Sequence, residues 1–336
     1  MKAVRIHEYI GITGIRVEET EMSPPNIGEI RMRVGAAGIN NSDLQMTYGK
    51  YKRPGDDPLP QILGQEAAGI VDAVGEKVEG FFPGMRVVGH VKGAFAEMAI
   101  APATELLPIP DDISFEVAAS LPINYLTAII ALIYRAKVQV GEWVLVHPGS
   151  GGVGTAAIQL AKLLGAKVIA TAGNRAKVEY LLKLGADYGI DYSNQNVVSE
   201  VRKITNNIGV QVAVDGAGKV TFADCLEVIA NNGRIACYGT TTGLDAALPM
   251  GKLLGRNIVV YGIALWYNSD YQTSWQTLKN LVIPAFVEGK LQSTIEQVVS
   301  LEGVSAALTK MEQRRLMGKI IVVPCFLERG SRRVEE

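Results

Sequence analysis

The stretch WVLVHPGSGGVGTAAIQLAKLL, residues 143–164, constrains the fold more than any other. An apolar run of strand character meets a run of helical periodicity through Gly149, Gly151, Gly152 and Gly154. Glycine adopts backbone angles closed to other residues and lets the main chain approach a ligand. Gly154 also lets the helix pack against its strand. A helix that begins there points unpaired N–H groups and a partial positive charge over the turn, which suits a pyrophosphate. Ser150, Gly151, Gly152 and Val153 are therefore expected to bind a dinucleotide. The alternative is a tight β–α turn with no ligand.

The end of the next strand chooses between the two nicotinamide dinucleotides. NAD sites place an Asp or Glu about 20 residues past the glycines, on the ribose 2′-hydroxyl. Here VIATAGNRAK brings Gly173 and Asn174 to that point, followed by Arg175 and Lys177, with no carboxylate before Glu179. A missing acid and two cations favour a 2′-phosphate, across which an Arg can fork. NADPH is the expected cofactor. The alternative for Arg175 and Lys177 is a pair of solvated residues at a helix start.

From about residue 122, the Val- and Ile-rich runs EWVLVH, AKVIATA, YGIDY, QVAVDG, RIACYG and NIVVYGI are mostly separated by helical segments. Such runs suit strands buried on both faces, and the alternation indicates a doubly wound, Rossmann-type α/β domain. Before it, EIRMRVGAAGI, AAGIVDAVG, MRVVGHV and FAEMAIA are broken by Gly- and Pro-containing turns and read as a mostly β domain. A chain of 336 residues divides naturally in two. The expected division is 1–121 with 266–336 for the β domain and 122–265 for the dinucleotide domain.

Lys plus Arg number 33 against 34 Asp plus Glu, without long blocks of either sign. That removes the electrostatic case for a nucleic-acid or anionic-membrane partner. No apolar stretch approaches about 18 residues, and MKAVRIHEY lacks the apolar core of a signal peptide. Cys225, Cys237 and Cys325 lie far apart and suit reduced thiols. A cytoplasmic protein is expected.

Together with GINNSDLQMTYGKY, LPQILGQEAAGIV, YLTA, AVDGAG and GRIACYG, this block order resembles the medium-chain dehydrogenases/reductases. Within them it is similar to the zinc-free quinone oxidoreductase (zeta-crystallin-like) branch, as far as about Pro324. The resemblance implies that the β domain is GroES-like and catalytic. It implies a homodimer in which NIVVYGI is the edge strand pairing between subunits. It also places Tyr192 by the adenosine phosphate beside Lys177, Gly239 and Thr240 in the turn over the nicotinamide, and Arg314 on the cofactor side.

Relatives that oxidise alcohols use a catalytic zinc, which needs three or four Cys, His or carboxylate ligands. This chain has three histidines, His7, His90 and His147, and carries Asn40 and Gln65 where those relatives have a ligand Cys and a His. No metal is expected, and Glu66, left over from the pattern, reads as a structural acid. Without a Lewis acid, removing hydride from an alcohol is hard. A quinone or an activated double bond accepts hydride more easily, because the acceptor itself holds the arriving charge. The protein then supplies orientation, a hydrogen bond to the developing oxyanion and a proton.

Tyr51, in YGKYKRP, resembles the tyrosine of quinone oxidoreductases and 2-enoyl thioester reductases that assists binding or protonation. A phenol donates a hydrogen bond while staying protonated at neutral pH; the alternative is an aromatic packed at a domain interface. Asn40 either orients a substrate carbonyl or the nicotinamide amide, or bonds its own turn. Thr127 either fixes the nicotinamide ring or a water, or is an ordinary helix threonine. Trp266, Tyr267 and Tyr271 suit a substrate wall or a subunit interface. The leading expectation is an NADPH-dependent reductase of quinones or α,β-unsaturated carbonyls. A 2-enoyl thioester reductase, favoured by Lys50, Lys52 and Arg53 around Tyr51, and a nucleotide-binding protein with little turnover remain open.

Overall fold

Strands with alternating burial and strands buried throughout divide between two units. The computed structural model describes residues 1–51 and 58–324. Its strands are β1 (Lys2–Ile6), β2 (Ile15–Glu19), β3 (Glu29–Gly38), β4 (Gln61–Ile62), β5 (Glu66–Val74), β6 (Arg86–His90), β7 (Met98–Pro102) and β8 (Leu106–Pro108). After them come β9 (Trp143–His147), β10 (Lys167–Ala172), β11 (Tyr188–Asp191), β12 (Val210–Asp215), β13 (Ile229–Cys237) and β14 (Val259–Gly262), then β15 (Ile295–Val299) and β16 (Lys319–Val322).

The first unit takes Met1–Ser120, Ile295–Arg315 and the chain from Lys319 on. β2, β1 and β4 form one small sheet, and β15-β16-β3-β5-β6-β8 form a larger one, with β7 also on β3. β3 shows why: its even positions Ile30, Met32 and Val34 are buried while Arg33 is exposed, the period of a half-buried antiparallel strand. Antiparallel pairing of β16 with β3, Ile321 opposite Gly38, brings Lys319, at the start of β16, to the end of β3.

The second unit takes Leu121–Thr294 and Leu316–Gly318. Its six strands run parallel in the order β11-β10-β9-β12-β13-β14. The order reverses beside β9, the switch point at which open α/β sheets bind ligands. Leu145, Ile169, Ala213 and Ile235 are fully buried on adjacent strands, under the helices Val197–Ile204 and Lys219–Val228. The expected α/β class, with its Rossmann-type sheet, is the observed one.

The expected boundary at 265/266 is corrected. Residues 266–294 pack with the second unit, because the helical stretch Tyr271–Val287 buries Trp275, Leu278 and Val282 there. Tyr134 hydrogen bonds Thr277 at 2.7 Å, and the Tyr125 and Phe286 rings meet edge to face at 5.6 Å. The return to the first unit begins at Ile295.

Candidate functional site

In the second unit, β9 ends at His147 and the helix Gly152–Leu163 starts with Gly151 as its N-cap. Gly151 has φ −87°, its side-chain position meets nothing within 4 Å, and no side chain caps the helix. No acid lies in the first turn, so no side chain occupies its N–H groups. Gly154 fulfils the packing expectation: a Cβ there would stand 2.7 Å from the backbone of Pro148 and Gly149. Ser150 O accepts from Gly318 N at 2.8 Å, which fixes the turn. Val153 is half-buried, and Gly152 lies against the buried Asn124 amide, a neighbour that no local pattern marks.

At the ends of β10 and β11, Gly173, Asn174, Arg175, Lys177 and Tyr192 come together. Asn174 caps the helix Arg175–Lys183 by accepting from Lys177 N at 2.9 Å. Tyr192 lies over Gly173, where a Cβ would be 2.8 Å from its hydroxyl. The Tyr192 ring meets the His147 ring edge to face at 6.2 Å. His147, seen in the sequence only as a histidine too isolated for zinc, is buried and joins Thr171 at 2.6 Å and Asp224 at 3.3 Å. Its place at the strand end before the glycines was the available signal. Arg175 donates to Glu179 at 3.0 Å with its side chain 91% exposed, the solvated helix-start arrangement. Lys177 is half-buried at the same corner.

Gly239 and Thr240 form the turn after β13, with Gly239 close on the Gly216 carbonyl. Thr127 is buried and donates to Ile123 O at 2.7 Å, so its hydroxyl proton is committed to its own helix. Trp266 and Tyr271 stack edge to face at 5.6 Å, whereas Tyr267 is 72% exposed.

In the first unit, Asn40 is the N-cap of the helix Asn41–Thr47: its N–H donates to Asp43 Oδ2 at 2.7 Å, and Asp43 N donates to its backbone carbonyl at 3.1 Å. Its amide is fully directed: Nδ2 donates to Glu66 Oε1 at 2.7 Å and to Gly38 O at 3.3 Å, and Oδ1 accepts from Lys319 Nζ at 2.6 Å. Lys319 Nζ also donates to Glu66 Oε1 at 2.5 Å. Lys319 is 1% exposed and Glu66 0%. Turning the amide over would face its NH₂ to an ammonium, so Lys319 fixes the amide's orientation, with both hydrogens given to Glu66 and Gly38. That leaves it no hydrogen for a substrate carbonyl. Glu66 is a paired structural acid, as expected. Lys319 was missed; a lone lysine opening the apolar run KIIVV was the only signal. Among the described residues, no three His, Cys, Asp or Glu side chains form a group able to hold a metal.

Gln65 Nε2 donates to Ser42 Oγ at 2.5 Å and to Asp43 Oδ1 at 3.1 Å. Burial pushes the Asp43 carboxyl up to about 6. A carboxyl raised in the folded state binds its proton more tightly than in the unfolded chain, so its contribution to stability declines as pH rises from about 4 to about 6. Asp43→Asn mimics the neutral form. Relative to the native chain it should be more stable at pH 7 than at pH 4, with a swing of roughly 2–3 kcal/mol in denaturant titrations. A difference that does not change with pH would show that Asp43 titrates normally.

Tyr51 is half-buried, and Tyr48, three residues earlier, donates to Glu312 Oε1 at 2.7 Å. Lys52 and Arg53 lie outside the described residues, as does Cys325. Arg314, exposed, follows the helix Val304–Glu312 with left-handed backbone at φ +56°. The structure thus gathers Ser150–Val153 at the glycine turn and Gly173–Lys177 with Tyr192 at the second strand end. It sets Asn40 in a buried ion-pair network.

Residues 152–280 match the zinc-binding dehydrogenase family model and residues 26–111 the alcohol dehydrogenase GroES-like domain. The chain is 34% identical over 315 residues to the quinone oxidoreductase-like protein 2 homolog of Nematostella vectensis, covering 91% of this chain and 85% of that protein. It is 31% identical to the 2-haloacrylate reductase of Burkholderia sp, over 96% of this chain and 98% of that one. Among solved structures, it is similar to Escherichia coli quinone oxidoreductase complexed with NADPH. That match has a TM-score of 0.89 and 28% identity, over 96% of this chain and 100% of the other.

Proposed function

Because this chain belongs to the medium-chain dehydrogenase/reductase family, with quinone oxidoreductase-like relatives, we propose that it is an NADPH-dependent reductase of quinones or α,β-unsaturated carbonyls. One observation carries the cofactor reading: the bare N-terminus of the helix Gly152–Leu163, with an acid-free corner at Gly173–Lys177 beside it. The uncapped N–H groups fit a pyrophosphate, and the exposed side of Gly151 leaves room for one. Half-buried Lys177 fits a 2′-phosphate better than Arg175, whose guanidinium is engaged by Glu179. Tyr192, Gly239, Thr240 and Arg314 are carried as further cofactor contacts on the family resemblance.

Bound NADPH supplies a hydride. Tyr51 donates a hydrogen bond to the acceptor oxygen on which charge develops. Thr127 and Asn40, with their own hydrogens spent, serve as acceptors that orient donors. Chemistry without a metal is supported by the donor set, since Asn40 Oδ1 is taken by an ammonium and Gln65 is an amide. The relative named 2-haloacrylate reductase supports an activated double bond as acceptor. No described helix is long and apolar enough to cross a membrane. A cytoplasmic homodimer is proposed, joined along β14. That strand closes the sheet edge, and Val259 on it and nearby Leu254 and Met250 are exposed.

The test is NADPH consumption by the purified chain against quinones, enones and alkenals, with NADH alongside and Lys177→Ala as a second arm. Turnover on at least one acceptor class is expected. The preference for NADPH over NADH should shrink roughly tenfold or more in Lys177→Ala, as loss of a charge-assisted phosphate contact implies. No turnover on any acceptor overturns the proposed activity; an unchanged preference removes Lys177 from the phosphate.

A further inference from the structure

We propose that Tyr48 is a positioning residue that holds the turn carrying Tyr51, through a latch to Glu312. This rests on the reading of Tyr51 as hydrogen-bond donor. The helix Asn41–Thr47 ends at Tyr48, and the backbone winds tightly after it. Tyr48 N donates to Gln45 O, Gly49 N to Met46 O and Lys50 N to Gln45 O, at 3.2, 3.0 and 3.0 Å. That winding fixes the chain up to the residue before Tyr51, but only relative to its own short helix.

Two aromatic rings fix it to the rest of the first unit. Gly11 has φ +83°, and a Cβ there would lie 2.6 Å from Tyr48 Cε1 and 2.9 Å from its hydroxyl. The hydroxyl end of the ring therefore packs on bare backbone, and Gly11 N donates to Thr47 O at 3.0 Å beside it. On Gly49, a Cβ would be 3.0 Å from the Tyr9 ring. At the far end of the Tyr48 ring, the hydroxyl reaches Glu312, the last residue of the helix Val304–Glu312.

The Tyr48 side chain is 37% exposed, and a hydrogen bond there adds little to overall stability. Its effect is on position. The hydroxyl is held to a carboxylate 264 residues away, and the turn cannot shift without breaking that bond. Small misplacements of a group that meets a reacting atom are costly in rate.

Tyr48→Phe keeps the ring over Gly11 and removes only the latch. On the best acceptor it should lower kcat/KM roughly fivefold, the scale of one typical net hydrogen bond. The NADPH Kd and the thermal midpoint should stay within error. Glu312→Ala should match it, and Glu312→Gln, which can still accept, should restore most of the rate. In a Tyr51→Phe background, Tyr48→Phe should cost nothing further. If Tyr51→Phe is impaired and Tyr48→Phe is not, the latch is overturned and the Tyr51 reading stands. If Tyr51→Phe turns over normally, the Tyr51 reading itself is overturned. A Tyr48→Phe loss that persists in the Tyr51→Phe background, or that comes with a lowered thermal midpoint, shows a general structural role and overturns the latch.

Discussion

Gly151→Asp should abolish NADPH binding while leaving the protein as stable as before or slightly more so. The two effects come from one place. Gly151 is the N-cap of a twelve-residue helix, in extended backbone that any residue adopts, with open space where a side chain would go. Aspartate is among the best N-caps, and its charge faces the positive end of the helix. The helix should gain about 0.5 kcal/mol. The same carboxylate then bonds the N–H groups proposed to receive the pyrophosphate and repels its charge. Affinity should fall more than roughly 100-fold, since the cradle acts through those donors. Titration of NADPH fluorescence and thermal unfolding read the two quantities separately. Retained affinity would move the nucleotide away from this turn; lost stability would mean the cap is not free to accept a side chain.

Lys319→Met should be the most destabilising single substitution of a charged residue in the first unit. The ammonium is buried with Glu66 and bonded to it and to Asn40. Removing it strands a carboxylate out of reach of water, at a cost of roughly 3–5 kcal/mol. The pair itself need not stabilise the fold, because desolvating both charges offsets most of their attraction. Lys319→Met combined with Glu66→Gln should therefore recover much of the loss. Denaturant titration of the single and double variants decides the matter. A single variant within about 1 kcal/mol of the native chain would show that water reaches Glu66.

The parallel sheet was legible in the sequence because its strands are buried on both faces. Runs such as WVLVH and QVAVD carry that burial without needing a partner to explain it. The glycine turn was legible for the same reason: strand, turn and helix are contiguous. Helical periodicity was less secure. In the helix Arg175–Lys183, Leu181 is fully buried, but its equally apolar neighbour Leu182 is 43% exposed. SWQTLKNLVIPAFVEGK, residues 274–290, has helical periodicity, yet an apolar helix face does not say which unit it covers. The buried network was the least legible part, since Lys319 meets Glu66 across 253 residues and no local pattern marks the pairing. The Arg175–Glu179 pair, by contrast, sits at the i,i+4 spacing that marks such contacts in any helix.

The return of the chain to its first unit sets an order of completion during synthesis. A chain emerges from its N-terminus and its domains fold as units. β3 and β5 are made early, but β16, which pairs with β3 and brings Lys319, follows only after all of Leu121–Thr294. The nascent first unit therefore holds Glu66 without its counter-charge until the nucleotide-binding unit has been made. The later-encoded unit can mature first, and the earlier one is completed by β16, a strand made after it.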